Sequence, residues 1–236
     1  DARKDFLIKK KARESQQTAR PSLYFFEGDP QAEVITLSKA WRFFLVENIG
    51  VVQHFAEYAL AQYLQARNPN VPGIINKVRA PTPNDRNLGS ARRHLRAIRA
   101  ALVHVGRAAC FQDIYTGHPL AADFSIDHFL PWSFVAHNQF WNLVPVALSV
   151  NSSKGDSLPH LGLYLPRLAQ FHFAAIGTAK YSARFLEDYA DCFREDIPGL
   201  LALGEAGFVG KYRELIEPQE LIARNLGFRS GWQPAP

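Results

Sequence analysis

The sequence predicts an α+β protein, mainly α-helical, with one small compact unit embedded between two helical regions. Helical apolar spacing recurs up to about residue 108 and again after residue 160. Between them the periodicity gives way to turn residues and to an acid, a histidine and two asparagines set close together. At 236 residues and 47% hydrophobic composition, the chain can bury a core. We therefore divide it into a basic helical region (1–108), an embedded unit (109–160) and a helical C-terminal region packed on that unit (161–236).

The elements follow in order. Lys9-Lys10-Lys11-Ala12-Arg13 reads as an exposed helix or a frayed arm. Leu23-Tyr24-Phe25-Phe26 is apolar, either a short strand or an anchor, and Gly28-Asp29-Pro30 breaks it. Ser38 is placed to cap a helix from Lys39. Trp41 to Gln65 has helical spacing interrupted at Asn48-Ile49-Gly50, which gives two helices; Asn68 to Gly73 ends the second. Ile74 to Val78 adds one turn, and Pro81 to Asp85 is a loop. Ser90 is expected to cap a helix running to about Val105, with Leu95, Ile98, Leu102 and Val105 as its buried stripe. Beyond the embedded unit, Leu165–Ile176, Ala183–Arg194, Phe208–Ile216 and Gln219–Asn225 read as helices, with Gly227 as a C-cap and an irregular tail after it.

Charge is uneven. Residues 1–108 hold 18 Lys and Arg against 9 Asp and Glu, and the remainder holds 9 against 13. A cationic half suits a polyanionic partner. Arg92, Arg96 and Arg99 share one face of the helix before the embedded unit, either a phosphate-binding ridge or an ordinary solvated face. No run of about 18 apolar residues occurs, so no transmembrane helix and no membrane partner are expected. Nothing behind Asp1-Ala2-Arg3-Lys4-Asp5 reads as a secretory segment. Two distant cysteines, Cys110 and Cys192, give no disulfide framework, which fits a reducing cytoplasm. No P-loop appears, so any ATP-driven step would need a partner.

The chemistry sits in Ile126-Asp127-His128-Phe129-Leu130-Pro131, Trp141-Asn142-Leu143-Val144-Pro145 and Asn151-Ser152-Ser153-Lys154-Gly155-Asp156. Phosphodiester hydrolysis needs a nucleophilic water, a charge sink for the phosphate and help for the departing oxygen. A neutral histidine, with an unperturbed pKa of about 6.5, can take the proton from water. Asp127 and Asn151 offer hard oxygen ligands. A cation with so few protein ligands keeps several waters, as Mg²⁺ does, and Mn²⁺ accepts the same oxygens. Zinc would want more nitrogen or sulfur.

From the hairpin Cys110–Leu120, through Asp127-His128 and Asn142, to Asn151-x-x-Lys154-Gly155-Asp156-x-x-Pro159, the segment resembles the HNH endonuclease family. The core of that family is a ββα-metal finger. The similar variant has asparagine as its last motif residue, as in the HNH domains of CRISPR effector nucleases and many bacterial HNH proteins. The agreement of several elements in order is specific where an Asp-His pair alone would not be. The resemblance implies that His128 is the general base and that Asp127 and Asn151 bind one Mg²⁺. It implies that Asn142 fixes the loop orienting His128, that Lys154 lies near the phosphate, and that hydrolysis leaves a 5′-phosphate. Many relatives carry two Cys-x-x-Cys pairs for a structural zinc; this chain lacks them, so no structural zinc is expected and packing must stabilise the finger.

The expected substrate is DNA, double-stranded. One finger cuts one strand, so a double-strand break would need a homodimer or two events, and a partner subunit could supply NTPase or targeting functions. Two rivals stay open: RNA as substrate, and a non-catalytic nucleic-acid-binding or assembly module that keeps the finger as scaffold. Restriction, phage defence and mobile-element transfer all use such nucleases. Among the other histidines, His137 follows the motif and could touch substrate. His54 and His104 read as packing or surface residues and His118 as a turn residue, while His160 and His172 have no evident partners. Trp132 and Trp141 wall the finger's core or stack on bases.

Overall fold

The computed structural model describes residues 2–28, 33–79, 87–178 and 183–235. The loop expected at Pro81–Asp85 and the Asp29-Pro30 break lie outside them. The described residues group into two compact units, 1–63 and 64–236.

The first unit opens with helix α1 (Ala2–Ser15). Strands β1 (Tyr24–Glu27) and β2 (Val34–Leu37) follow, paired antiparallel from Tyr24↔Leu37 to Glu27↔Val34. The aromatic run is thus a strand. Arg13 of α1 donates to the Phe26 carbonyl at 2.9 Å, and the Lys9 ammonium lies 5.3 Å from the Phe26 ring. Ser38 caps α2 (Lys39–Glu47), its hydroxyl accepting from the Trp41 amide, and α3 (Ile49–Arg67) begins after Asn48 as expected. Helix α2 buries no residue and α3 only Ala61, which leaves Phe43 and Phe55 exposed.

In the second unit, α4 (Ile74–Val78) precedes α5 (Gly89–His104). Leu95, Ile98 and Leu102 of α5 are fully buried, which is the expected stripe. Val105 is not part of it: it occupies the C-cap and is exposed. Ser90 is not the N-cap either. Leu88 holds that position, Asn87 accepts the Gly89 amide at 2.9 Å, and Ser90 lies inside the helix. A 3₁₀ turn (Ala108–Cys110) leads into the Cys110–Leu120 segment. That segment is a turn with one bridging pair, Gln112↔Pro119, rather than a regular hairpin. Asp113 organises it, accepting the Tyr115 and Thr116 amides through Oδ1 and the Ala147 amide through Oδ2.

The ββα unit comes next: β3 (Ser125–His128), the single-turn helix α6 (Trp132–Val135), β4 (Leu143–Val146) and α7 (Leu148–Lys154). The strands are antiparallel, with Asp127 opposite Val144 and His128 opposite Leu143. Every residue of β4 is buried, so this sheet is a core element held by packing. Helices α8 (Leu161–Thr178), α9 (Ala183–Phe193), α10 (Ile197–Ala202) and α11 (Gly204–Asn225) complete the unit. Helix α8 packs on α5 and α11, and its buried residues join Phe129, Phe140, Tyr189, Phe208 and Tyr212 in one core. The two helices expected at 208–225 are one, continuous through Pro218. The tail is tied down: Trp232 bridges Pro159 in parallel, and its amide donates to the Leu158 carbonyl at 2.9 Å.

Candidate active site

Strand β3 carries Asp127 and His128 as neighbours at its end. Asp127 is buried. Its Oδ2 accepts from the Tyr115 hydroxyl at 2.7 Å and its Oδ1 from Lys154 Nζ at 3.0 Å. Lys154 also donates to the His128 carbonyl at 2.8 Å, so one ammonium ties the carboxylate to the main chain of the histidine beside it. Burial pushes the Asp127 carboxyl up; Lys154 and the Tyr115 hydroxyl pull it back. Burial, then Asp127, pushes the Tyr115 hydroxyl up, which keeps it a donor. A carboxylate held by an ammonium and a phenol is the paired state in which a buried charge persists.

Helix α7 supplies Asn151 and Lys154, three residues apart and so on one face. Asn151 Nδ2 donates to Ser125 Oγ at 2.7 Å and to the Ile126 carbonyl at 3.3 Å. Those bonds leave Oδ1, the oxygen an amide offers to a cation, outside them. The segment thus brings Asp127, His128, Asn151 and Lys154 together around β3. Lys154 itself is 1% exposed, deep beside Asp127 rather than open to a bound phosphate.

His128 is half-buried, and its Nε2 lies 2.9 Å from Asn138 Oδ1. Asn142 is fully buried and closes the base of the loop: Oδ1 accepts the Leu130 amide at 2.8 Å, Nδ2 donates to the Leu130 carbonyl at 2.9 Å, and the Asn142 carbonyl accepts the Phe129 amide at 2.8 Å. A side chain so engaged fixes the loop and does not reach solvent. His137 lies in that loop. Its Nδ1 accepts the Gln139 amide, and burial, with His128 as a neighbour, pushes its pKa down to about 4. Trp141 is buried in the core and offers no face to a base.

The arginine face divides. Arg92 donates to the Phe124 carbonyl and lies over the Phe124 ring. Arg99 donates to the Ala121 and Leu120 carbonyls at 2.7 and 2.9 Å and lies over Phe111. Both clamp the segment that enters β3, and only Arg96 of the three is exposed. Sequence reasoning missed Tyr115, Asp113 and Asn138. The Asp-x-x-Thr-Gly turn around Tyr115 and the polar triplet His137-Asn138-Gln139 were the signals present, but neither says which neighbour a side chain meets.

Strand, strand and helix thus surround a buried Asp127 and a half-buried His128 in a ββα unit. Residues 113–160 match the sequence profile of the HNH endonuclease family. Over 119 residues the chain is 29% identical to the CRISPR-associated endonuclease Cas9 of Listeria innocua. That stretch is 49% of this chain and 8% of that protein, so the chain spans a small fraction of that relative's length. No solved structure matches. Residues 113–160 are therefore similar to the HNH endonuclease family.

Proposed function

We propose that this chain is a metal-dependent endonuclease that hydrolyses DNA phosphodiester bonds, with His128 as general base and with Asp127 and Asn151 as ligands of one Mg²⁺. The observation that carries the reading is the convergence on β3 of Asp127, His128 and Asn151 within the HNH match. The donor set fits a hard cation. A carboxylate has about four lone-pair sites; Tyr115 and Lys154 use one each, and Asn151 Oδ1 adds an amide oxygen. Among the described residues no group of three or more His, Cys, Asp or Glu is placed to hold a metal. A cation here would thus keep water on its remaining positions, the habit of Mg²⁺. When bound, it neutralises charge on the phosphate and the leaving oxygen.

The chain's own residues do the rest. His128 takes the proton of the attacking water. Tyr115 and Lys154 hold the Asp127 carboxylate in one orientation, and Asn142 holds the loop that frames His128. Exposed Arg96, with the basic N-terminal half, offers charge to the backbone of double-stranded DNA, while Arg92 and Arg99 support β3. The name of the Listeria relative describes a CRISPR-associated endonuclease, in line with endonucleolytic cleavage here. Cutting both strands would take a second copy or sequential nicks.

Plasmid nicking tests this. Mg²⁺ and Mn²⁺ should each support conversion of supercoiled to open-circular DNA, and EDTA should stop it. Asp127→Ala and Asn151→Ala should each raise the Mg²⁺ concentration required. Undiminished nicking in EDTA would remove the metal, and with it the assigned roles of both residues.

A further inference from the structure

The loop that frames His128 is pinned from both ends. Helix α6 stops at Ala136, whose φ of 55° turns the chain back. Asn76 of α4 donates to the Ala136 carbonyl at 3.0 Å. Gly73, just before α4, sits so close that an added Cβ would lie 2.7 Å from the Val135 carbonyl oxygen. At the far end, the Phe140 amide donates to Asp188 of α9 at 2.8 Å. Within the loop the Gln139 amide donates to His137 Nδ1, and Gln139 Oε1 accepts from Trp141 Nε1 at 2.9 Å. Residues 137–139 are thus held locally as well as at their ends. They present Asn138 Oδ1 to His128 Nε2 at 2.9 Å.

We infer that Asn138 is a positioning residue for His128, its amide oxygen holding Nε2–H so that Nδ1 is the atom that accepts the proton. This rests on the reading of His128 as the base. A carbonyl oxygen only accepts, so the ring nitrogen it faces carries the hydrogen. A neutral imidazole has one N–H, and the bond made by one nitrogen sets the state of the other. Nδ1 then holds the lone pair. The water's proton passes to Nδ1 as its oxygen bonds to phosphorus. The bond from phosphorus to the leaving oxygen breaks, and that oxygen takes a proton from solvent. The imidazolium that results keeps its Nε2–H on Asn138. Asn76 and Asp188, outside the ββα unit, act through this loop.

The tautomer is measurable without any variant. In the full chain with ¹⁵N-labelled histidine, long-range proton–nitrogen correlation spectra at pH 8, with His128 assigned by comparison with His128→Gln, should show Nε2 protonated and Nδ1 bare. Asn138→Leu should give a mixture of tautomers and lower the nicking kcat roughly tenfold or more, with KM changed by less than about twofold. Asn138→Asp, which keeps an acceptor, should restore one tautomer and most of kcat; a fold defect at this position would depress both variants alike. A protonated Nδ1 in the parent overturns the inference, as does an unchanged tautomer and kcat in Asn138→Leu. Those results with an inactive His128→Ala refute Asn138 alone, whereas parental nicking by His128→Ala refutes the base.

Discussion

Asp127 and Lys154 illustrate how much of this site is decided one residue at a time. Each is buried, and each is tolerable there only because the other is present. Removing one partner leaves a charge in the interior. Lys154→Met should therefore lower unfolding stability by about 3–5 kcal/mol. Adding Asp127→Asn, which leaves an amide the Tyr115 hydroxyl can still meet, should recover part of that loss. Denaturant unfolding of the two variants measures both effects. A loss below about 1 kcal/mol in the single variant would mean that the pair is open to water and that Lys154 is available for a phosphate after all.

At the scale of elements, the finger is positioned by parts outside it. Gly73 adopts a left-handed conformation (φ 61°) against the Val135 carbonyl, where a Cβ would clash. Gly73→Ala should cost about 1–3 kcal/mol and lower nicking by shifting the loop that carries Asn138. Thermal melts and kcat together check this; unchanged values in both would show that α4 does not brace the loop. The same contacts explain what was legible in the sequence. The motif set Asp127, His128, Asn142 and Asn151 in one short segment, which the structure gathers around β3, and apolar periodicity marked α5 and α8. Local spacing could not give Tyr115 on Asp127 or Asn138 on His128, since those meetings depend on how distant segments fold back. Ser90 misled because the Asn87 side chain takes the role of bonding the first helical amide. Arg92 and Arg99 look like a solvated or phosphate-facing ridge by helical spacing, yet the carbonyls of 120–124 claim them.

Over the whole molecule, stability should depend on pH through the core. His172 is fully buried among aromatic rings, bonded to the Tyr189 hydroxyl at 2.6 Å and stacked on Tyr212. Burial pushes its pKa down to about 3, against about 6.5 in an unfolded chain. A histidine depressed on folding contributes stability that is present above pH 6.5 and lost as pH falls toward 3. Each pH unit in that window costs about 1.4 kcal/mol. His172→Phe should lose less stability than the parent between pH 7 and pH 5. Equal losses would show that water or a rearrangement already accommodates the charge. No described helix is long and apolar enough to cross a membrane.

The proposed mechanism requires His128 as the base and assigns DNA binding to other groups. Single-turnover nicking of plasmid by the parent and by His128→Ala, with DNA binding measured alongside, tests it most directly. We expect the rate to fall by about 10²- to 10⁴-fold while DNA affinity stays within about twofold. Nicking by His128→Ala at the parental rate would contradict the account.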